Sequence, residues 1–210
     1  MKLYFSPLAC SLASRIALYE AGADATFVEI DPKTKTTPDG EDFRARHMLG
    51  MVPLLELDDG SLLSENAAIL QYIARTHADA RLIPDGARGL AQVQQWLSFV
   101  GSELHKATYV PLLDKTAPAE VKAYALSKVE LRFTWLARQL EGRAFLADEF
   151  SIADCYLFAV LNWSSVTPVS LDAWPAVRAY HARLRDRPHV ARAFTEELEL
   201  YARELKRQGN

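Results

Sequence analysis

The stretch KLYFSPLACSLASR, residues 2–15, decides the fold. Residues 2–5 have the β-prone character of a short strand, and Ser6-Pro7 is a turn signal. From residue 11 to 21, apolar side chains fall at 12, 16, 17 and 21, one face of a helix, with Gly22 placed to end it. A strand that turns directly into a helix is the first half of a β-α-β unit, and residues 26–30 supply the second strand. A polar loop follows over 31–40, then a short helix expected over 41–47. Pro53 opens the apolar run 54–57, and the turn Asp58-Asp59-Gly60 joins it to residues 61–63, a hairpin signature. Ser64 stands as an N-cap for a helix over 65–77. The order β-α-β-α-β-β-α predicts an α/β domain over residues 1–77, a mixed four-stranded sheet with helices on its faces.

Beyond it, residues 78–87 read as a linker carrying Pro84 and Gly86, and residues 88–210 as an all-helical domain. Val93, Trp96, Leu97, Val100, Leu104 and Ala107 repeat at helical spacing, and helices are expected over 118–140, 151–166, 174–185 and 188–206. The charge divides with the domains: residues 1–80 carry 7 basic and 12 acidic side chains, whereas the whole 210-residue chain has 24 and 27, net −3. That balance offers no field for nucleic acid. No run approaches the roughly 18 apolar residues of a membrane span, and the N-terminus lacks the pattern of a signal peptide. Two cysteines, Cys10 and Cys155, make neither a disulfide scaffold nor a Cys-rich metal site, which points to a reducing cytoplasm. The histidines lack ligand spacing, so no metal is expected.

Four features carry possible chemistry. Cys10 precedes a helix that Ser11 is placed to cap, where free amides and the positive dipole end favour a thiolate; the alternative is a small buried core thiol, the reading preferred for Cys155. Val52-Pro53 opens a strand after a Gly-containing loop. A cis bond there would leave the Val52 N–H and C=O to an extended ligand, and a trans proline at a strand boundary is the alternative. Ser64-Glu65-Asn66 joins first-turn amides, which take a carboxylate, to an acid that takes an ammonium, together the head group of an amino acid; plain capping explains Ser64 equally. Ser98, Ser102, His105 and Tyr109, spaced 4, 3 and 4, form either a polar stripe facing a cleft, with His105 titrating in the useful range, or a solvated face. Ser151-Ile152-Ala153-Asp154 fits a capping box and is read as folding chemistry.

Together these residues resemble a cytosolic glutathione S-transferase of the bacterial beta class. The likeness runs through Lys2–Phe5 and Ser6-Pro7, Ala9-Cys10-Ser11-Leu12, Lys33-Thr34-Lys35, Val52-Pro53, Leu57-Asp58-Asp59-Gly60, Glu65, Ala68-Ile69-Leu70-Gln71-Tyr72, Glu103-Leu104-His105-Lys106 and Phe150-Ser151-Ile152-Ala153-Asp154. The resemblance implies a thioredoxin-like N-terminal domain that holds glutathione as co-substrate and a helical domain that shapes a pocket for a small apolar electrophile. It maps the catalytic cysteine onto Cys10 and a nearby histidine onto His105. It maps the proline that presents main chain to glutathione onto Pro53 with Val52, the grip on the γ-glutamyl group onto Glu65 and Asn66, and the glycyl-end lysine onto Lys35. Ser98, Ser102 and Glu103 match positions from which a neighbouring subunit reaches the ligand, implying a homodimer, and the activity implied is detoxification. Three departures stand out: Asn66 for a Ser or Gly, Leu8 where Gly is common, and His47-Met48-Leu49 for an Asn-Pro-Lys run. A glutathione-dependent monothiol disulfide reductase and a non-catalytic scaffold of the same fold are the alternative readings.

Overall fold

The computed structural model describes residues 1–208, in two compact units: Met1–Leu82 with the last helix, and Ile83–Arg187. In the first unit, strands β1 (Lys2–Phe5), β2 (Thr26–Glu29), β3 (Leu54–Glu56) and β4 (Leu62–Ser64) form one sheet in the order β2-β1-β3-β4. β1 and β2 pair in parallel across helix α1 (Leu12–Glu20), with Leu3 opposite Phe27, while β3 pairs antiparallel with both β1 and β4. The hairpin turns at the foreseen residues: Gly60 has φ 81°, Leu57 N–H donates to the Ser61 carbonyl, and Asp59 Oδ1 accepts the Ser61 N–H and hydroxyl. Because strand side chains alternate, Tyr4 faces one side and Leu3 and Phe5 the other. On the first side Tyr4, Ile30, Phe43 and Leu54 form a buried cluster with Val28 and Val52 against it. On the second, the Arg15 guanidinium of α1 stands 4.9 Å from the Phe5 ring.

Helix α1 ends as its sequence predicts. Gly22 is left-handed (φ 61°), Ala23 N–H reaches the Leu18 carbonyl and Gly22 N–H the Tyr19 carbonyl, the paired bonds of a Schellman stop. Its start differs. Ser11 occupies the N-cap position, but its hydroxyl bonds the backbone of Ser6 instead of the helix amides. Helix α2 (Asn66–Thr76) also differs from expectation, because Ser64 belongs to β4 and the residue before the helix is Glu65. The helix foreseen over 41–47 is a single 3-10 turn, Phe43–Ala45, capped by Asp42. The linker region holds a 3-10 turn, Ala78–Ala80, and the first residues of the next helix.

The second unit is helical: α3 (Gly86–Phe99), a π-helix (Val100–Tyr109), α4 (Val110–Leu113), α5 (Ala119–Ser127), α6 (Val129–Leu140), α7 (Ile152–Leu161) and α8 (Pro175–Arg185), with 3-10 turns at Asn162–Val166 and Leu171–Ala173. The helix expected over 118–140 is two helices, broken at Lys128 (φ −99°, ψ −10°). The capping box at the start of α7 is complete. Asp154 Oδ2 accepts the Ser151 N–H and hydroxyl, Ser151 Oγ accepts the Ala153 N–H, and Asp154 Oδ1 takes the Leu146 N–H and the Tyr180 hydroxyl. The last helix, α9 (Pro188–Gln208), was assigned by sequence to the helical domain 88–210; it packs instead on α1, inside the first unit. Among the described residues, no helix is long and apolar enough to cross a membrane.

Candidate active site

Cys10 lies in the turn between β1 and α1, neither sealed in the core nor fully exposed. The turn is closed by Ala9 N–H on the Ser6 carbonyl, and Ser6 Oγ donates to the Ile30 carbonyl, tying the turn to the end of β2. Leu12 and Ala13 N–H donate to the Ala9 and Cys10 carbonyls. Two of the amides that sequence left open for the sulfur are therefore engaged. The sulfur itself is 3.3 Å from the Val52 carbonyl, to which the thiol donates. The Val52–Pro53 bond is cis, one of the two alternatives the sequence left open, and the Val52 carbonyl accepts the weak thiol donor.

The start of α2 closes the other side of the turn. Glu65 is exposed and holds φ 69°, ψ 116°, a conformation that costs a non-glycine residue on the order of 1–3 kcal/mol and tends to mark functional positions. Its carbonyl begins the helix by accepting the Ala68 and Ile69 N–H groups. Asn66, the first helical residue, is buried, and its side chain is committed: Nδ2 donates to the Cys10 carbonyl at 3.1 Å and Oδ1 accepts the Ser14 hydroxyl at 2.7 Å. The family resemblance placed Asn66 in the grip on a γ-glutamyl group. Both ends of its amide are instead engaged within the protein. Lys35, also left-handed (φ 61°), runs its stem beside Gly50, where an added Cβ would stand 3.5 Å from Lys35 Cδ and from Arg44 Cγ. The structure thus brings Cys10, Val52 and Asn66 into direct contact, with Glu65 beside Asn66. Lys35 borders the loop that leads to Val52.

The remaining candidates lie in the second unit and do not form the single stripe that α-helical spacing suggested. Residues 100–109 wind as a π-helix, with Val110 N–H reaching back five residues to the His105 carbonyl, which rotates positions spaced for 3.6 residues per turn off a common face. Ser98 and Ser102 are exposed and His105 and Tyr109 are buried. His105 Nδ1 shares a 2.7 Å hydrogen bond with the Tyr156 hydroxyl, and the Trp163 ring lies 5.0 Å from the imidazole. Burial, aided by Lys106, pushes its pKa down to about 4, so His105 is neutral near pH 7 and leaves the titration range that sequence gave it. Burial also pushes the Tyr109 hydroxyl up, and that group bonds Ser164. Glu103 is held by Arg132, whose Nε and Nη2 reach the same carboxylate oxygen at 2.8 and 2.7 Å.

Sequence reasoning missed the polar residues behind the turn: Ser14, Arg15 and Glu197. A signal existed. On α9, Val190, Ala193 and Glu197 share the buried face at helical spacing, and an acid in that series calls for a partner.

Comparison with known proteins matches residues 1–75 to the N-terminal domain family of glutathione S-transferases and residues 87–183 to the C-terminal domain family. Glutathione S-transferase GstA of Escherichia coli O157:H7 is 36% identical over 199 residues, covering 94% of this chain and 98% of that protein. A sphingomonad glutathione S-transferase solved in complex with glutathione superposes with a TM-score of 0.89 at 41% identity, covering 94% of this chain and 98% of the other. A bacterial beta class glutathione S-transferase of Sphingomonas chungbukensis does so with a TM-score of 0.89 at 42% identity and the same coverage.

Proposed function

The chain belongs to the glutathione S-transferase family, and from that premise we propose how its residues divide the work of moving glutathione onto an electrophile. The enzyme is a transferase with glutathione as substrate: the glutathione thiol gives up its proton, the sulfur bonds an electrophilic carbon, and the leaving group departs with its electron pair. The observation that carries the site assignment is the 3.3 Å approach of Cys10 Sγ to the Val52 carbonyl. A tripeptide laid along Val52-Pro53 puts its own cysteinyl sulfur beside Cys10, its backbone replacing the weak thiol donor on the Val52 carbonyl. Cys10 then hydrogen-bonds the bound thiol; in the alternative redox reading its thiolate attacks a glutathione disulfide, forming a mixed disulfide and releasing the other half as a thiol.

Glu65 takes the ammonium of the γ-glutamyl group. The first amides of α2, beginning at Asn66, take its carboxylate, as helix N-termini do. Lys35 meets the glycyl carboxylate. His105 is the second catalytic candidate, acting as a neutral hydrogen-bonding group. The second substrate is small and apolar and is received by the helical residues. Ser98, Ser102 and Glu103 serve a neighbouring subunit of a homodimer. The protein works in detoxification in the cytoplasm, a reading supported by the family.

Conjugation of an aromatic chloride, with retention on immobilised glutathione, tests the assignment. Cys10→Ala then divides the labour. Conjugation that survives within about tenfold, a span of 1.4 kcal/mol, assigns Cys10 to hydrogen bonding; loss confined to disulfide exchange assigns it to covalent chemistry. A wild-type chain that neither binds glutathione nor conjugates overturns the reading.

A further inference from the structure

Glu197, on α9, is fully buried, on a helix face that is otherwise apolar at Val190 and Ala193. A carboxylate taken out of water is costly unless hydrogen bonds and charges replace the solvent. Here one oxygen does well and the other does not. Glu197 Oε2 accepts the Leu8 N–H at 2.8 Å, whereas Oε1 stands 3.6 Å from Arg15 Nη1 and, among the described residues, neither of those two atoms makes a hydrogen bond. Arg15 is provided for elsewhere. Its Nη2 pairs with Glu196 at 2.9 Å, and its guanidinium stands 4.3 Å from the Phe27 ring. The well-made bond of this buried acid therefore goes to main chain.

That main chain belongs to Leu8, which stands at φ 57°, two residues before Cys10. A left-handed conformation is strained for an L-residue with a Cβ, and an N–H fixed by a buried side-chain acceptor is one way to hold it. From the opposite side Asn66 holds the Cys10 carbonyl. The turn is gripped at both ends.

We propose that Glu197 is a positioning residue for the transfer reaction: by accepting the Leu8 N–H, it holds the turn left-handed at Leu8 and so sets the place of Cys10 against Val52. This rests on the reading of Cys10 as the residue that meets the glutathione thiol. Glu197 touches no substrate; it acts through the backbone of residues 8–10. The same reasoning explains why a leucine is tolerated there, since the bond to Glu197 offsets the strain a glycine would avoid.

The test compares Glu197→Met, which fills the space but accepts nothing, with Glu197→Gln, which keeps a carbonyl acceptor, and repeats Glu197→Met in a Leu8→Gly background. Three readouts are taken on the purified full chain: kcat and KM for glutathione with an aromatic chloride, the rate of Cys10 alkylation by iodoacetamide in a Cys155→Ser background, and the thermal midpoint. Glu197→Met lowers kcat and shifts the alkylation rate by about tenfold, the size of one lost buried hydrogen bond, with KM for glutathione within about twofold. Glu197→Gln stays within about threefold of wild type, and Leu8→Gly returns most of the loss, because glycine adopts φ 57° without strain. Equal kcat and alkylation rate in Glu197→Met and wild type overturn the proposal, as does a loss that tracks the thermal midpoint alone and is not rescued by Leu8→Gly. Should Glu197→Met not fold, Glu197→Ala takes its place: a tenfold loss that Leu8→Gly returns supports the proposal, and a kcat and alkylation rate equal to wild type, or a loss that Leu8→Gly does not return, overturns it. A wild-type chain without transfer activity is a failure of the functional reading, separable because alkylation of Cys10 needs no glutathione.

Discussion

Asn66 illustrates how much one side chain can bind together. Its amide joins the carbonyl of Cys10 to the hydroxyl of Ser14, so the first residue of α2 is fastened to the turn and to the first helix at once. Asn66→Ala leaves a buried hydroxyl and carbonyl unsatisfied and is expected to cost about 1–3 kcal/mol in urea unfolding. Affinity for glutathione, by calorimetry, falls less than about tenfold, because the backbone N–H that meets the carboxylate remains. A larger loss of affinity without loss of stability would return the side chain to the ligand. Glu197 gives a second prediction at this scale. Burial pushes its pKa from an ordinary value of 4.5 up to about 8. Between those values the folded chain keeps a proton that the unfolded chain has released, so this group makes stability decline as pH rises from about 4.5 to 8, by at most roughly 1.4 kcal/mol per pH unit. Glu197→Gln should flatten that slope, and the check is unfolding free energy at pH 5 and 8. The places of Cys10, Val52-Pro53 and Glu65 at a turn or an element start were legible from local sequence, and Lys35 was singled out only by the family resemblance. The commitment of Asn66 was not legible, since whether an amide faces a ligand or a neighbouring helix depends on packing.

At the scale of elements, local chemistry predicts well where it is self-contained. The Schellman stop at Gly22, the Asp59-Gly60 turn and the capping box at Ser151 each involve residues within a few positions of one another. Ser151→Ala removes the cap of α7 and is expected to lower stability by about 1–2 kcal/mol, read as a reduced thermal midpoint. Gly22→Ala forces a Cβ into φ 61° with nothing nearby to clash, so its cost is backbone strain alone, about 1 kcal/mol. Where partners lie far away, the reading fails. Ser11 was expected to cap α1, but Ser6 holds its hydroxyl. The helical period through 98–109 was read as α, and the π winding moves His105 and Tyr109 inward while Ser98 and Ser102 stay out. The hydrogen bond of His105 with Tyr156, 51 residues away, cannot be seen in a helical wheel.

At the scale of the molecule, the order of strands and helices was enough to give a mixed four-stranded sheet with helices on its faces, because a right-handed crossover followed by a hairpin leaves few alternatives. It was not enough to place α9. Amphipathic periodicity says that a helix has an apolar face, not which surface that face will cover, and here the cover is α1, where Arg15 and Tyr19 meet Glu196 and Glu197. A chain ending at residue 187 therefore strips the buried flank of α1 and is expected to lose cooperative unfolding of the first unit; a thermal midpoint within a few degrees of the full chain would show α9 to be dispensable. The central claim is that Cys10, Val52 and the start of α2 form one glutathione seat, and a crystal structure grown with glutathione tests it most directly. The account predicts an extended tripeptide paired with the Val52 main chain, its ammonium at Glu65, its carboxylate on the Asn66 N–H, and its sulfur within hydrogen-bond reach of Cys10. Glutathione bound away from Val52, or with its sulfur turned from Cys10, would contradict it.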